Sequence, residues 1–123
     1  MTFESAVKSF LDSVVNQDWD CFISFLDEEL PLNILLPNRR PITNYVDFIH
    51  SQKDFFENEN AHFKYKIIEL KEMTDHGFAV VHSKVKLNPN EDTVIELQIC
   101  FLFQKRQNSW KLIFDQNSLL PRD

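Results

Sequence analysis

The chain has 123 residues, 43% hydrophobic and 26% charged, with a formal net charge of −6; these values fit one globular domain, residues 1–123, and an acidic balance argues against a nucleic-acid partner, since phosphate binding concentrates Lys and Arg. A single glycine, Gly77, excludes phosphate-binding loops, dinucleotide fingerprints and nucleophile elbows, each of which needs several glycines at fixed spacing. No apolar run approaches the roughly 18 residues of a membrane span, the first residues lack the basic start of a signal peptide, and two cysteines make no disulfide framework, so a cytoplasmic protein without a membrane partner is expected.

In chain order, Thr2 can cap a first helix whose stripe is Phe3, Ala6, Val7, Phe10, Leu11, Val14 and Val15, recurring at three and four. After the polar break at 16–18, Asp18 or Asp20 opens a shorter helix through Phe22, Ile23, Phe25 and Leu26, with Trp19 at the junction. Pro31 and Pro37 bracket a short extended segment, and 38–41 is a polar turn. Thr43 or Asn44 then caps a third helix carrying Val46, Phe48, Ile49, Phe55 and Phe56.

From Ala61 the period changes to two. Strands are expected over 62–73 and 78–87, joined by a turn at 74–77, with a second turn at 88–92. A long hairpin follows, its two runs separated by a polar connection at 105–109. In the first run Ile95, Leu97, Ile99, Phe101 and Phe103 share one face, and Val94, Cys100 and Leu102 the other. In the second, Trp110, Leu112, Phe114, Gln116 and Ser118 share a face, opposite Lys111, Ile113, Asp115, Asn117 and Leu119. Helices first and strands last favour α+β: three N-terminal helices packed in a curved, mostly antiparallel sheet.

This element order, the length and the ending Trp-Lys-Leu-Ile-Phe-Asp-Gln-Asn-Ser resemble the NTF2-like superfamily, in its SnoaL-like branch related to ketosteroid isomerases. The resemblance implies a cystatin-like cone, a homodimer formed through the outer sheet face, and a conical pocket. Relatives in this branch carry a His-acidic-His-x-Ser pattern on the last strand. Here Trp110, Asp115 and Ser118 are retained, while the histidine positions hold Phe114 and Gln116. The first helix has no tyrosine, and the segment after Pro31 offers Asn33 where an isomerase of this branch carries a carboxylate base. An amide cannot abstract an α-proton, so isomerase chemistry is not expected.

The expected ligand pocket comprises Trp19 at its mouth, Tyr65, His82 and Gln98 on the sheet, and Phe114, Gln116 and Ser118 on the last strand. Ile99, Phe101 and Asp115 are assigned to the dimer interface. His50, His62, His76 and His82 lack metal spacing, so neither a metal nor a cofactor is expected. Arg39-Arg40 is too short for a nucleic-acid patch. The leading reading is a small protein that binds an apolar or aromatic molecule with no assigned reaction. The alternatives are a SnoaL-like isomerase, cyclase or dehydratase acting on a hydrophobic carbonyl, with His82 or Asp115 as base, and a non-catalytic assembly module whose cone is filled by its twelve phenylalanines.

Overall fold

The computed structural model describes residues 1–37, 40–88, 90 and 93–121. The opening apolar stripe folds as α1 (Phe3–Val15), capped by Thr2, whose hydroxyl accepts the amide of Ser5 at 3.1 Å. Asp18 caps α2 (Trp19–Ile23), and Asn44 caps α3 (Tyr45–Glu57) by accepting the amide of Asp47 at 2.9 Å. Each cap satisfies an amide that has no intrahelical partner. Between α2 and α3 the proline-bracketed segment forms β1 (Asn33–Leu35). Of the expected turns at 38–41 and 88–92, Asn38, Arg39, Pro89, Glu91 and Asp92 lie outside the described residues.

Four long strands follow: β2 (His62–Glu72), β3 (His76–Lys86), β4 (Ile95–Arg106) and β5 (Ser109–Leu119). They make a sheet in the order β1-β5-β4-β3-β2, antiparallel throughout except that β1 runs parallel to β5. The last hairpin turns on two residues, Gln107 and Asn108, with φ of 51° and 66°. Positive φ at both positions is the type I′ geometry, whose twist matches that of paired strands. The strands therefore extend further into the turn than the polar connection at 105–109 implies.

Gly77 has a packing role. A Cβ added there would lie 2.5 Å from the ring of Phe3. That ring is itself held edge-on against Phe103 and Trp110, with centroids 5.8 and 4.8 Å away. The glycine thus lets the start of α1 sit directly on β3. Phe10, two turns further along the same face, packs against Phe22, Phe25, Phe101 and Phe103 at 5.4–5.6 Å. Much of the phenylalanine content is spent on this seam between α1, α2 and the sheet, which holds the helices on the concave face.

One local irregularity decides which residues face inward. The β4–β5 register shifts between Leu102 and Phe103: Leu102 pairs with Phe114 and Phe103 with Leu112, leaving Ile113 as an extra residue on β5. Such a bulge reverses the alternation of side chains beyond it. Trp110 and Leu112 face the core before the bulge, and Asp115 and Asn117 face it afterwards. Phe114, Gln116 and Ser118 turn to the outer face, where Gln116 pairs with Cys100 and Ser118 with Gln98. The single parity read from the sequence holds for the first half of β5 and inverts in the second.

This corrects the placement of three residues assigned to an outer interface. Ile99, Phe101 and Asp115 are 5%, 4% and 9% exposed and point toward the helices. On β4 the inward set is Leu97, Ile99, Phe101 and Phe103, in cross-strand register with Ser83, Val81, Ala79 and Gly77 of β3.

Candidate functional site

Between α1, α3 and the concave face of the sheet lies a cavity of about 180 Å³. Its wall is mostly hydrocarbon and aromatic, with Phe10, Phe22, Phe55, Phe63 and Phe101 among the lining side chains. Its polar groups come from two sources. Ser51 and Gln52 reach it from α3, and Asp115 and Asn117 reach it from the far half of β5. An apolar cavity with few, convergent polar groups is the usual form of a small-molecule site.

Asp115 is the chemically distinctive member. It sits between Phe101 of β4 and Ile34 of β1, its register partners on either side. Burial pushes its pKa from the ordinary 3.8 up to about 7, and the hydrogen bond from Asn117 works against that rise. The Asn117 Nδ2 donates to Asp115 Oδ1 at 2.6 Å and to the Leu35 carbonyl at 3.3 Å. Among the described residues, none of the salt bridges involves Asp115. The carboxyl group therefore changes charge in the neutral range rather than in acid. In its protonated form it donates a hydrogen bond, and in its ionised form it only accepts.

The residues expected in the pocket are placed as follows. Trp19 packs against Phe22 and Phe56, with ring centroids 5.9 and 5.2 Å away, and sits behind the wall formed by Phe22. Tyr65 faces inward but is committed to α1: its hydroxyl donates to Asp12 Oδ1 at 2.7 Å. Burial first, and then this hydrogen bond and the Asp12 charge, push the Tyr65 pKa up to about 12. His82 and Gln98 lie on the outer face, joined to each other at 3.0 Å. Phe114 is half-buried on that same face, and Gln116 and Ser118 are exposed there. None of these seven lines the cavity. Asp115, which was read as an outer residue, does line it.

The residues missed are Asn117, Ser51 and Gln52. Ser51 and Gln52 are consecutive positions of α3 with no feature separating them from a solvated helix face. Asn117 carried a usable signal, since it follows Asp115 by two residues and pairs with Ile99 in an otherwise apolar row. Two polar side chains on one parity of a buried strand call for partners within the protein.

Elsewhere, Arg106 bridges Asp27 and Glu29 at 3.0 and 2.6 Å, fastening the loop after α2 to the end of β4. Cys21 and Cys100 are free. Burial, helped by the charge of Asp115, raises the Cys100 pKa and keeps that thiol weakly nucleophilic. Among the described residues no group of His, Cys, Asp and Glu side chains has metal-binding geometry, and no helix is long and apolar enough to cross a membrane.

No model of a protein family matches the chain, and no curated protein matches it. Solved structures do. The chain superimposes on a ketosteroid isomerase-like protein from Erwinia carotovora atroseptica with a TM-score of 0.77 at 17% identity, covering 98% of this chain and 95% of that one. An NTF-2 like protein of unknown function from Shewanella oneidensis gives 0.74 at 15% identity, covering 93% of each chain. A domain with a cystatin-like fold from Nostoc punctiforme gives 0.75 at 10% identity, covering 98% of this chain and 78% of that one. At these identities the likeness establishes the fold, and a fold of this breadth does not specify chemistry.

Proposed function

We propose that this chain, with its NTF2-like fold, binds a small, largely apolar or aromatic molecule bearing one polar group, held in the cavity between α1, α3 and the sheet. The observation that carries the proposal is the Asp115–Asn117 pair, a hydrogen-bonded polar couple on the wall of an otherwise apolar cavity. Such a pair supplies a donor and an acceptor at one point, enough to orient a carbonyl or hydroxyl while the phenylalanines take the hydrocarbon part. The resting volume of about 180 Å³ lies below the roughly 300 Å³ typical of drug-sized ligands, so the guest is small or the site widens to admit it. No reaction is assigned.

The proposal takes residues 1–123 as one domain acting as a homodimer. The outer sheet face supports this, since Phe78, Val80, Leu102 and Phe114 are half-buried with no helix laid over them, and apolar sheet surface of this kind favours a second copy. A reducing, cytoplasmic setting is supported by the two free thiols.

The test is a ligand-observed NMR screen of small aromatic ketones and alcohols against the chain and a Val14→Trp variant. Val14 lines the cavity, and an indole there fills it. Binding that disappears in V14W and weakens in Asp115→Ala is expected. Binding that survives V14W unchanged, or no binding to the parent chain, refutes the proposal.

A further inference from the structure

Among its described residues the acidic chain carries a concentrated basic surface. On the outer face of the β2–β3 pair, three successive cross-strand pairs are His62 with Lys86, Lys64 with Lys84, and Lys66 with His82. All six side chains point away from the helices, opposite the inward-facing Phe63, Tyr65, Val81 and Ser83. Like charges set directly across a pair of strands, as Lys64 and Lys84 are, destabilise it. The salt bridge formed by this group among the described residues is Lys84 to Glu96 at 3.7 Å, between exposed side chains.

Edge lysines guard sheets against unwanted pairing, and β2 is the edge strand, which accounts for Lys64 and Lys66. It does not account for His82, Lys84 and Lys86, because β3 is an interior strand. The ladder also ends at a bulge. Ile68 is an extra residue between the pairs at Ile67 and Glu69, and beyond this bulge the exposed β2 residues alternate in sign as Glu69, Lys71 and Glu72. The lysine-backed run, His62 to Ile67, is thus one regular stretch of the edge, set off from the rest by the bulge.

We propose that this run is a docking edge for an extended acidic segment of a partner protein. The segment adds as a further strand beside β2, through main-chain hydrogen bonds, and places carboxylates at alternate positions over Lys64 and Lys66. Strand geometry repeats same-face side chains every roughly 6.5–7 Å, so a partner with an acid at every second residue matches the lysines in step. Lys84 and Lys86 stand one strand further in, behind the contact, and add to the local field. A short acidic peptide is favoured over a phosphate polymer because the net charge of −6 repels a long polyanion wherever it extends beyond the patch.

The probe is a fluorescein-labelled peptide of about eight residues with alternating Val and Glu, titrated into the full chain and followed by anisotropy at low and moderate salt. Saturable binding that weakens with salt is expected. The exposed double variant Lys64→Glu/Lys66→Glu should weaken it by roughly tenfold or more while keeping the parent circular dichroism, and Lys84→Gln should have a smaller effect. A peptide N-methylated at alternate amides should lose binding by a similar factor, since it cannot pair with the edge. Equal binding of the N-methylated peptide, indifference to the lysine variants, or tighter binding of a short oligouridylate or of phosphatidylserine vesicles would each overturn the proposal.

Discussion

Asp115→Asn is the perturbation that bears most directly on the cavity. In the folded chain the carboxyl keeps its proton until about pH 7, whereas in the unfolded chain it releases it near 3.8. The folded state therefore binds more protons between these values, and the stability linked to Asp115 is whole below pH 3.8 and lost as pH rises toward 7. At about 1.36 kcal/mol per pH unit the full span corresponds to about 4 kcal/mol, of which about 3 kcal/mol falls between pH 5 and pH 8. Asparagine preserves the shape and can still accept the Asn117 amide bond of 2.6 Å, but it cannot ionise. Urea unfolding of parent and variant at pH 5, 6, 7 and 8 reads the effect, and the difference between the two curves removes every other titrating group. The variant should gain on the parent by about 3 kcal/mol across this range, a midpoint shift of roughly 1.5 M urea. A difference that stays flat within about 0.5 kcal/mol would refute the reasoning, since it would mean that Asp115 ionises as freely in the cavity as in water.

Two further predictions rest on the fold. Gly77→Ala pushes a methyl group into the Phe3 ring, which has Phe103 and Trp110 at its edges, and should destabilise the chain by about 1–3 kcal/mol in thermal or urea unfolding; an unchanged midpoint would show that Phe3 has room to shift. The bulge in β5 makes Phe101→Glu and Phe114→Glu opposites: the first buries an unpaired charge in the core and should cost on the order of 4 kcal/mol, while the second should leave the fold intact and yield monomer by analytical ultracentrifugation. If F101E instead folds normally and dissociates, the two faces of the sheet are assigned the wrong way round.

Local signals in the sequence read well and the one non-local offset did not. Thr2 marked one helix start, and the pairs Asp18 or Asp20 and Thr43 or Asn44 bracketed the other two, of which Asp18 and Asn44 are the caps, because a short polar side chain before an apolar stripe favours that role. The change of period at Ala61 marked the strands, and the resemblance to the NTF2-like fold matched the architecture found. The parallel pairing of β1 with β5 was not legible, because three extended residues carry no sign of their neighbour. On the last strand the pocket was misassigned for a single reason. Ile113 is an ordinary β-branched strand residue, with no glycine or proline beside it to advertise a bulge, and the alternation beyond it inverts. Every pocket residue chosen on the last strand after that point therefore lay on the wrong face, and Asp115 and Asn117 lay on the right one.

At the end of α1, Gln17 adopts a φ of 52°, and its side-chain amide donates to the Phe55 and Asn58 carbonyls at 2.9 and 2.6 Å, where α3 ends. The helix that carries Ser51, Gln52 and Phe55 to the cavity is therefore latched at its final turn, and along its length it sinks one residue, Phe48, fully into the core. Beyond that latch α3 is held by a short row of rings, Phe48 and Phe56 against Phe22 and Phe56 against Trp19. The shape of the cavity on the α3 side is therefore set as much by the residue that follows α1 as by the side chains that line it.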